Sequence, residues 1–325
     1  MTNPMSSLYA RLGKRGVNKV FVKRLLPEWW DDGLAGTPSA LLQAQMIIAS
    51  GMNFELQTLR DPSAEIQFKT AHRKFKFSKA VEKESIQLSA EYATGMAKLA
   101  AQAMRSAYTS PPPDPVHIRK GILATHACVD LHALLDYCGK CGIPVLHISD
   151  LPGNKMDALA IRQNGRTAIV LCKKASAPFL LFHLAHEIGH IALGHLGDGD
   201  GTLIDAQISS SDMDADERAA DSFAIQLLNG SDVRYQSASR LVNAAMLASS
   251  AIEYGRQSRI DAGHIVLNYA HAMNSYPLAN AAIKLLPAEV QDAAIVNDML
   301  RSNLDMEALS DDQSSMLVRA LTPRP

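Results

Sequence analysis

The residues of this sequence that are best suited to chemistry form the run His186-Glu187-Ile188-Gly189-His190. Positions four apart lie on the same face of a helix, so His186 and His190 can direct two imidazoles at one metal ion. Glu187 lies beside them and can hold the water molecule that such an ion activates. Short motifs of this kind also occur by chance on buried helices. The run therefore indicates a metal site only if a third ligand is found.

Two positions are candidates for the third ligand, since a catalytic zinc ion takes three protein ligands and keeps a fourth position open. His195 does not fit the metzincin spacing, because Leu193 and Leu196 stand where that pattern needs Gly and His. Glu217 and Asp221 fit better, because they lie four residues apart on a second predicted helix. Glu217 is then the ligand, and Asp221 accepts a hydrogen bond from a ligand histidine. The alternative for Glu217 is a solvated helix residue.

Two stretches, FHLAHEIGHIALGH at 182–195 and ERAADSFAIQLL at 217–228, together resemble the ImmA/IrrE family of zinc metallopeptidases. That family has an H-E-x-G-H helix and then a helix that reads Glu-x-x-Ala-Asn/Asp-x-Phe-Ala. The resemblance implies Zn²⁺ held by His186, His190 and Glu217, with Glu187 as the catalytic base. It covers roughly residues 115–230. Ala219 departs from the family, whose members often have a second Glu there, and this affects the surroundings of the ligands rather than the ligands.

Hydrophobic periodicity and turn residues predict a mostly helical α+β protein. Its expected centre is a gluzincin-like core in which a small sheet accompanies the H-E-x-x-H helix and the Glu-bearing helix, with helical regions on either side. The proline-rich linker TSPPPDP marks a domain boundary. The predicted divisions are a basic N-terminal region at 1–110, a metallopeptidase core at 111–232 and a helical region at 233–325.

Within the core, the pattern predicts one helix over 116–137, a strand over 143–148 and a hairpin around Asn164-Gly165. In gluzincin-like folds the strand before the zinc helix is an edge that pairs with an extended substrate. The resemblance therefore predicts that strand 167–171 binds peptide by β-augmentation. The alternative is an ordinary protected edge.

The N-terminal region is basic, with 15 Lys and Arg against nine Asp and Glu in residues 1–110, whereas the remainder holds 17 against 24. Such an excess is a footprint for nucleic acid or an acidic partner, or simply a solvated surface. Two short helices predicted at 39–50 and 54–60 resemble a helix-turn-helix, and many ImmA/IrrE relatives carry an Xre-like one in front. The excess comes from two clusters: Arg11, Lys14, Arg15, Lys19, Lys23 and Arg24, and then Lys69, Arg73, Lys74, Lys76 and Lys79.

Several other groups of residues have both a functional and a purely structural interpretation. Cys138 and Cys141 form a C-x-x-C, but no second pair completes a zinc site, which favours a plain helix exit. The Asp-rich loop 198–201 lacks most calcium ligands and is better explained as solvated. His264 and His271 are candidate donors to an oxyanion, although a core or surface position is favoured for each.

His183 and His195 flank the H-E-x-x-H run and are weaker candidates for contacts behind the metal ligands. Neither enters the predicted ligand set.

Four cysteines, no signal peptide and no apolar run of membrane length predict a cytoplasmic protein without a membrane anchor. The sequence thus predicts a zinc-dependent metalloendopeptidase. The resemblance implies a selective one, acting on a repressor-type regulator or toxin–antitoxin partner in prophage, mobile-element or stress control. The alternative is a non-catalytic DNA-binding transcriptional regulator or antitoxin-like protein on the same fold. The basic N-terminal region favours this alternative, and the intact Glu187 disfavours it.

Overall fold

The computed structural model describes residues 3–69, 72–74, 80–153, 156–197, 201–205, 215–237, 242–287 and 293–322. In chain order, the α-helices in these residues are α1 (Pro4–Lys14), α2 (Lys19–Leu25), α3 (Pro38–Gly51), α4 (Leu56–Arg60), α5 (Ala80–Ala103), α6 (Pro115–Leu123), α7 (Leu131–Lys140), α8 (Ala177–Ala192), α9 (Ala215–Asn229), α10 (Ala244–Ser258), α11 (Ala262–Met273), α12 (Tyr276–Ile283), α13 (Ile295–Asn303) and α14 (Asp311–Leu321). The strands are β1 (His72–Lys74), β2 (Val145–His147), β3 (Ala158–Gln163), β4 (Arg166–Leu171) and β5 (Gly201–Asp205).

Helices dominate the described residues, and a five-stranded sheet accompanies them, which confirms the mostly helical α+β prediction at that level. Within the described part of the predicted helical region at 233–325, the structure has α10 to α14 and no strand. In the described residues, no helix combines the length and the apolar character needed to cross a bilayer.

The first of the two short N-terminal helices is confirmed as α3, and the second begins later than predicted. Asn53 takes a left-handed conformation with φ of 53°, and Phe54 forms a β-bridge with Phe68. The chain is therefore extended where the helix was expected to start, and α4 is only five residues long. The helix-turn-helix stays a prediction.

The single helix predicted over 116–137 is wrong, because α6 and α7 are separate helices. Asp130 begins α7 by accepting a hydrogen bond from the amide of Ala133. In the connection, the guanidinium of Arg259 donates to three backbone carbonyls between Leu123 and Ala127. A residue far along the chain thus satisfies the carbonyl groups that would otherwise continue the helix.

The sheet has the order β1-β5-β3-β4-β2. β3 pairs antiparallel with both β4 and β5, whereas β2 lies parallel to β4 and β1 parallel to β5. The predicted hairpin is confirmed. Asn164 and Gly165 join β3 to β4 with φ of 51° and 72°, and two positive φ angles match the right-handed twist of the paired strands.

The prediction that strand 167–171 is a substrate-binding edge is wrong. This strand is β4, which pairs with β3 along its whole length and with β2 over Ile169–Leu171. Over those three residues the strand has a neighbour on each side, and a peptide cannot add to it there. The parallel partner β2 precedes β3 in the chain, and no local pattern shows that it pairs with β4.

The two faces of the sheet are covered by different apolar clusters, as alternation along a strand requires. Leu159, Ile161 and Val170 face the cluster around α5, which also takes residues from α1 to α3, α13 and α14. Ala160 and Ile169 face the cluster around α8, which also takes residues from α6, α7 and α9. A third cluster joins α10, α11 and α12. The α5 cluster draws residues from all three predicted divisions, and the division of the chain at 110 and 232 stays a prediction.

Candidate metal centre

Helix α8 carries the H-E-x-x-H run through the interior of the protein. Ser176 occupies its N-cap position and Pro178 its first turn, where the missing N–H costs nothing. Leu180, Leu184, Ile188 and Ile191 form an apolar stripe at helical spacing along α8, and all four are buried. Burial extends beyond that stripe, so α8 is apolar around most of its circumference and is held on several sides.

Helix α9 brings the distant carboxylate to α8, and a glycine permits the approach. A Cβ atom built on Gly189 would lie 3.2 Å from the carbonyl oxygen of Ala220 and 3.2 Å from the ring of Phe223. Gly189 therefore lies directly against the backbone of α9.

Three side chains converge where α8 and α9 meet. The Nε2 atoms of His186 and His190 lie 2.9 Å apart. Oε2 of Glu217 lies 3.3 Å from Nε2 of His186 and 3.6 Å from Nε2 of His190. Among the described residues, these three form the one group of His, Cys, Asp and Glu side chains close enough together to hold a metal ion, with all ligand atoms within 4.8 Å.

The donor set suits zinc, because two imidazoles and one carboxylate leave a fourth position of a tetrahedral site open. Both histidines are nearly inaccessible to solvent, with His186 4% and His190 0% exposed. Burial lowers the pKa of His190 below its ordinary value, although the nearby carboxylate of Glu217 opposes the shift. The neutral imidazole favoured in this way is the form that binds a metal.

Each histidine of the cluster has a partner at its other nitrogen. Nδ1 of His186 lies 2.9 Å from Oδ1 of Asp221, which is the contact predicted from the spacing of Glu217 and Asp221. Nδ1 of His190 lies 2.8 Å from Nδ1 of His195. The sequence named His195 only as a weaker candidate for such a contact and did not assign its partner. The available signal was Gly194, which can turn the chain back after a helix end.

Glu187 is fully buried on α8, next to His186 in the chain. Its charge and that of Asp157 add to the effect of burial in raising the pKa of the Cys172 thiol on the far side of β4. Nearby, Nε2 of His183 lies 3.9 Å from Oδ2 of Asp157, and burial lowers the pKa of His183 to about 4.

The two histidines considered as oxyanion donors occupy a core and a surface position. His264 is 1% exposed, and burial followed by the charge of Arg119 lowers its pKa to about 3. His271 is exposed, with Nδ1 3.2 Å from the hydroxyl of Tyr276. These surroundings agree with the structural interpretation that the sequence favoured for both.

The C-x-x-C pair has the environment of a helix end. Cys138 is buried in α7 and Cys141 is the C-cap residue, and both are free thiols. Burial raises the pKa of each thiol, which keeps both protonated and poor metal ligands. The Asp-rich loop at 198–201 lies mostly outside the described residues.

Most cations of the first basic cluster have partners within the protein. Arg11 donates to backbone carbonyls at Leu59 and Ala64, and Arg24 pairs with Asp150. The other pairs are Arg15 with Glu65, and Lys19 and Lys23 with Asp32. In the second cluster, the side chains from Arg73 to Lys79 lie outside the described residues.

The fold and the cluster together define a candidate metal centre, built on two packed helices beside a sheet. A family model described as Peptidase U49 matches residues 158–264, a segment that begins with β3 and contains His186, His190 and Glu217. The match supports a protease, and it agrees with the resemblance to ImmA/IrrE peptidases at the level of a peptidase family. No curated protein and no solved structure matches the chain significantly.

Proposed function

We propose that the protein is a zinc-dependent metalloendopeptidase. The observation that carries the proposal is the convergence of His186, His190 and Glu217 from two helices, inside the segment that matches a peptidase family. In this proposal the three residues hold Zn²⁺, Glu187 is the catalytic base, and Asp221 orients His186. The chemistry of the donor set supports zinc over calcium or magnesium, which prefer oxygen ligands.

When bound, the metal supplies a water molecule that is acidic enough to react near neutral pH. With the ion held by His186, His190 and Glu217, Glu187 would accept a proton from the water molecule whose oxygen adds to the carbonyl carbon of a peptide bond. It returns the proton to the amine as the C–N bond breaks. One water molecule is consumed, and one new carboxyl end and one new amino end are formed. Burial of Glu187 keeps bulk water from competing for the proton.

We propose further that the substrate is a regulatory protein, of the repressor type or a toxin–antitoxin partner, in prophage, mobile-element or stress control. The resemblance to ImmA/IrrE peptidases supports this choice, as does the buried position of the cluster, which suits a selective enzyme better than a digestive one. We also propose a cytoplasmic location, which agrees with four free cysteines.

The alternative is a non-catalytic DNA-binding regulator or antitoxin-like protein. The basic excess of residues 1–110 favours it. Against it, Arg11, Arg15 and Arg24 make contacts within the protein and are not available as a full set to phosphates. A structural metal also has no need of Glu187. Salt-dependent binding of duplex DNA by the full chain would support the alternative.

The proposal predicts that the wild-type protein cleaves proteins in a cell and so creates new N-termini, whereas the Glu187→Gln variant does not. The glutamine cannot accept a proton, so cleavage should fall about a hundredfold or more. Both proteins are expressed in the same bacterial strain, and new N-termini are counted by mass spectrometry. Purified Glu187→Gln should keep one zinc per chain, because the three ligands remain.

Glu253→Gln, at an exposed glutamate of α10 that pairs with Arg256, is the matched control and should cleave like the wild type. Equal cleavage by Glu187→Gln would remove Glu187 from the reaction. Zinc-loaded wild-type protein that produces no N-termini beyond those of Glu187→Gln would overturn the peptidase proposal.

A further inference from the structure

His195 is folded back under the metal cluster by the turn that ends α8. Gly194 has φ of 75°, a left-handed conformation that glycine adopts without strain. The amide of His195 then donates a hydrogen bond to the carbonyl of His190, with an N···O distance of 3.0 Å. The turn thereby places the side chain of His195, which is 12% exposed, against the ring of His190. Their ring centroids are 5.0 Å apart.

The contact between the two rings restricts where the protons lie. Two imidazole nitrogens 2.8 Å apart form a hydrogen bond only if one donates and the other accepts. Nε2 of His190 faces His186 and Glu217, so a metal-binding His190 keeps its lone pair on Nε2 and its proton on Nδ1. Nδ1 of His195 must then accept, which leaves the proton of His195 on Nε2.

The proton on Nε2 of His195 points toward the carboxylate of Asp216. Nε2 of His195 lies 3.8 Å from Oδ1 of Asp216, a separation suited to electrostatic attraction rather than to a direct hydrogen bond. Asp216 immediately precedes Glu217 on α9. With protons on Nδ1 of His190 and Nε2 of His195, His190 keeps its lone pair toward the cluster, donates to His195, and His195 presents its proton to Asp216.

We propose that His195 is a positioning residue for the metal centre, which fixes the tautomer and ring orientation of His190 by accepting its Nδ1 proton. Asp221 makes the equivalent contact with His186. The two ligand histidines are thus held by different acceptors, one a carboxylate and the other a neutral imidazole. The inference rests on the proposed metal-binding function, and it concerns the geometry of one ligand.

The test is the zinc affinity of purified protein, measured by competition with a chelator at fixed pH. His195→Phe keeps a ring of similar volume but removes the acceptor, and affinity should fall about ten- to a hundredfold. His195→Asn places an amide oxygen on Cγ, where Nδ1 is attached in histidine, and should restore most of the affinity. The absorption spectrum of the Co²⁺-loaded protein should change in the Phe variant and return in the Asn variant.

His132→Leu replaces an exposed histidine on α7 and should bind zinc like the wild type. Far-UV circular dichroism of the metal-free proteins reports whether each variant folds, and His195→Leu serves if the Phe side chain does not pack. Wild-type zinc affinity in a folded Phe or Leu variant would overturn the role of His195 and leave the metal centre standing. Equal losses in the Phe and Asn variants would show that the acceptor is not what matters. A wild-type protein that binds no zinc would instead overturn the proposed function.

Discussion

At the scale of single residues, burial and the hydrogen-bond partner of one particular atom determine the charge and orientation of each side chain of the cluster. His190 is kept neutral by burial, and His186 is oriented by one carboxylate oxygen of Asp221. The shared face of His186 and His190 was predictable from spacing, because positions four apart on a helix lie together, and Glu217 was expected from the second helix and the family resemblance. The contact of His195 was not predictable in this way, because it depends on the turn at Gly194 and on which nitrogen carries a proton.

Asp261 is a buried carboxyl group whose ionisation acts against folding. It caps α11 by accepting a hydrogen bond from the amide of His264 at 2.7 Å. Burial, and secondarily the charge of Asp130, raises the pKa of Asp261 to about 6. A carboxyl group with a raised folded-state pKa adds stability that is fully present below its unfolded pKa, near 4, and is lost as pH rises through 6.

Asp261→Asn keeps the acceptor for the cap and cannot ionise. We expect it to be more stable than the wild type at pH 7, by up to about 3 kcal/mol for a pKa raised from 3.8 to about 6, with the difference vanishing toward pH 4. Urea unfolding across this range measures it. His264 titrates in both proteins and cancels in the difference. Asp298→Asn, at an exposed position of α13, should show no such trend, and a pH-independent difference for Asp261→Asn would contradict the assignment.

At the scale of the elements, the metal centre depends on how closely α8 and α9 approach. Gly189 faces Ala220 and Phe223 at distances tighter than most Cβ contacts. In an open helix, Gly→Ala usually stabilises by about 1 kcal/mol. At this interface the added methyl group must push the two helices apart or distort them, so the sign should reverse.

We predict that Gly189→Ala destabilises the protein by about 1–3 kcal/mol and weakens zinc binding. Gly121→Ala is the matched control, because Gly121 lies in α6 and a Cβ there meets nothing within 4 Å. The control should be slightly more stable than the wild type. Thermal unfolding measures the stability of both variants, and competition with a chelator measures their zinc affinity. Stabilisation by both substitutions would mean that a methyl group at position 189 fits between α8 and α9.

The elements that the sequence predicted well are those set by local patterns. Helix α8 follows from its apolar stripe, and the β3–β4 hairpin follows from Asn164 and Gly165, whose preferences suit positive φ angles. The failures have non-local causes. The break between α6 and α7 is supported by Arg259, and the interior position of β4 results from pairing with β2. Neither partner belongs to the same local pattern, so periodicity alone could not reveal it.

At the scale of the whole molecule, one arginine joins the region of the metal centre to the C-terminal helices. Arg119 on α6 is 6% exposed. It donates hydrogen bonds to the carbonyls of Leu227 and Leu228 at the end of α9, and to that of Arg259 after α10. These are carbonyls that a helix leaves without internal partners, so one side chain completes the ends of two helices.

Arg119→Met keeps much of the apolar stem and removes these donors, so we predict a loss of about 3 kcal/mol or more in the free energy of unfolding. Lys120→Met changes the adjacent, exposed residue of α6 and should stay within about 0.5 kcal/mol of the wild type. Chemical denaturation measures both. Similar stability of the two variants would mean that water replaces the guanidinium at the helix ends.

Helix α14 has a consequence for how the protein is made. Its residues Met316 and Leu317 lie in the same apolar cluster as α1 and α3, and Arg319 donates hydrogen bonds to the carbonyls of Arg24 and Leu25. Until the ribosome has synthesised α14, the apolar surface that α14 covers on the N-terminal helices is therefore exposed. The apolar cluster that contains α1 and α3 is therefore complete only after α14 has left the exit tunnel.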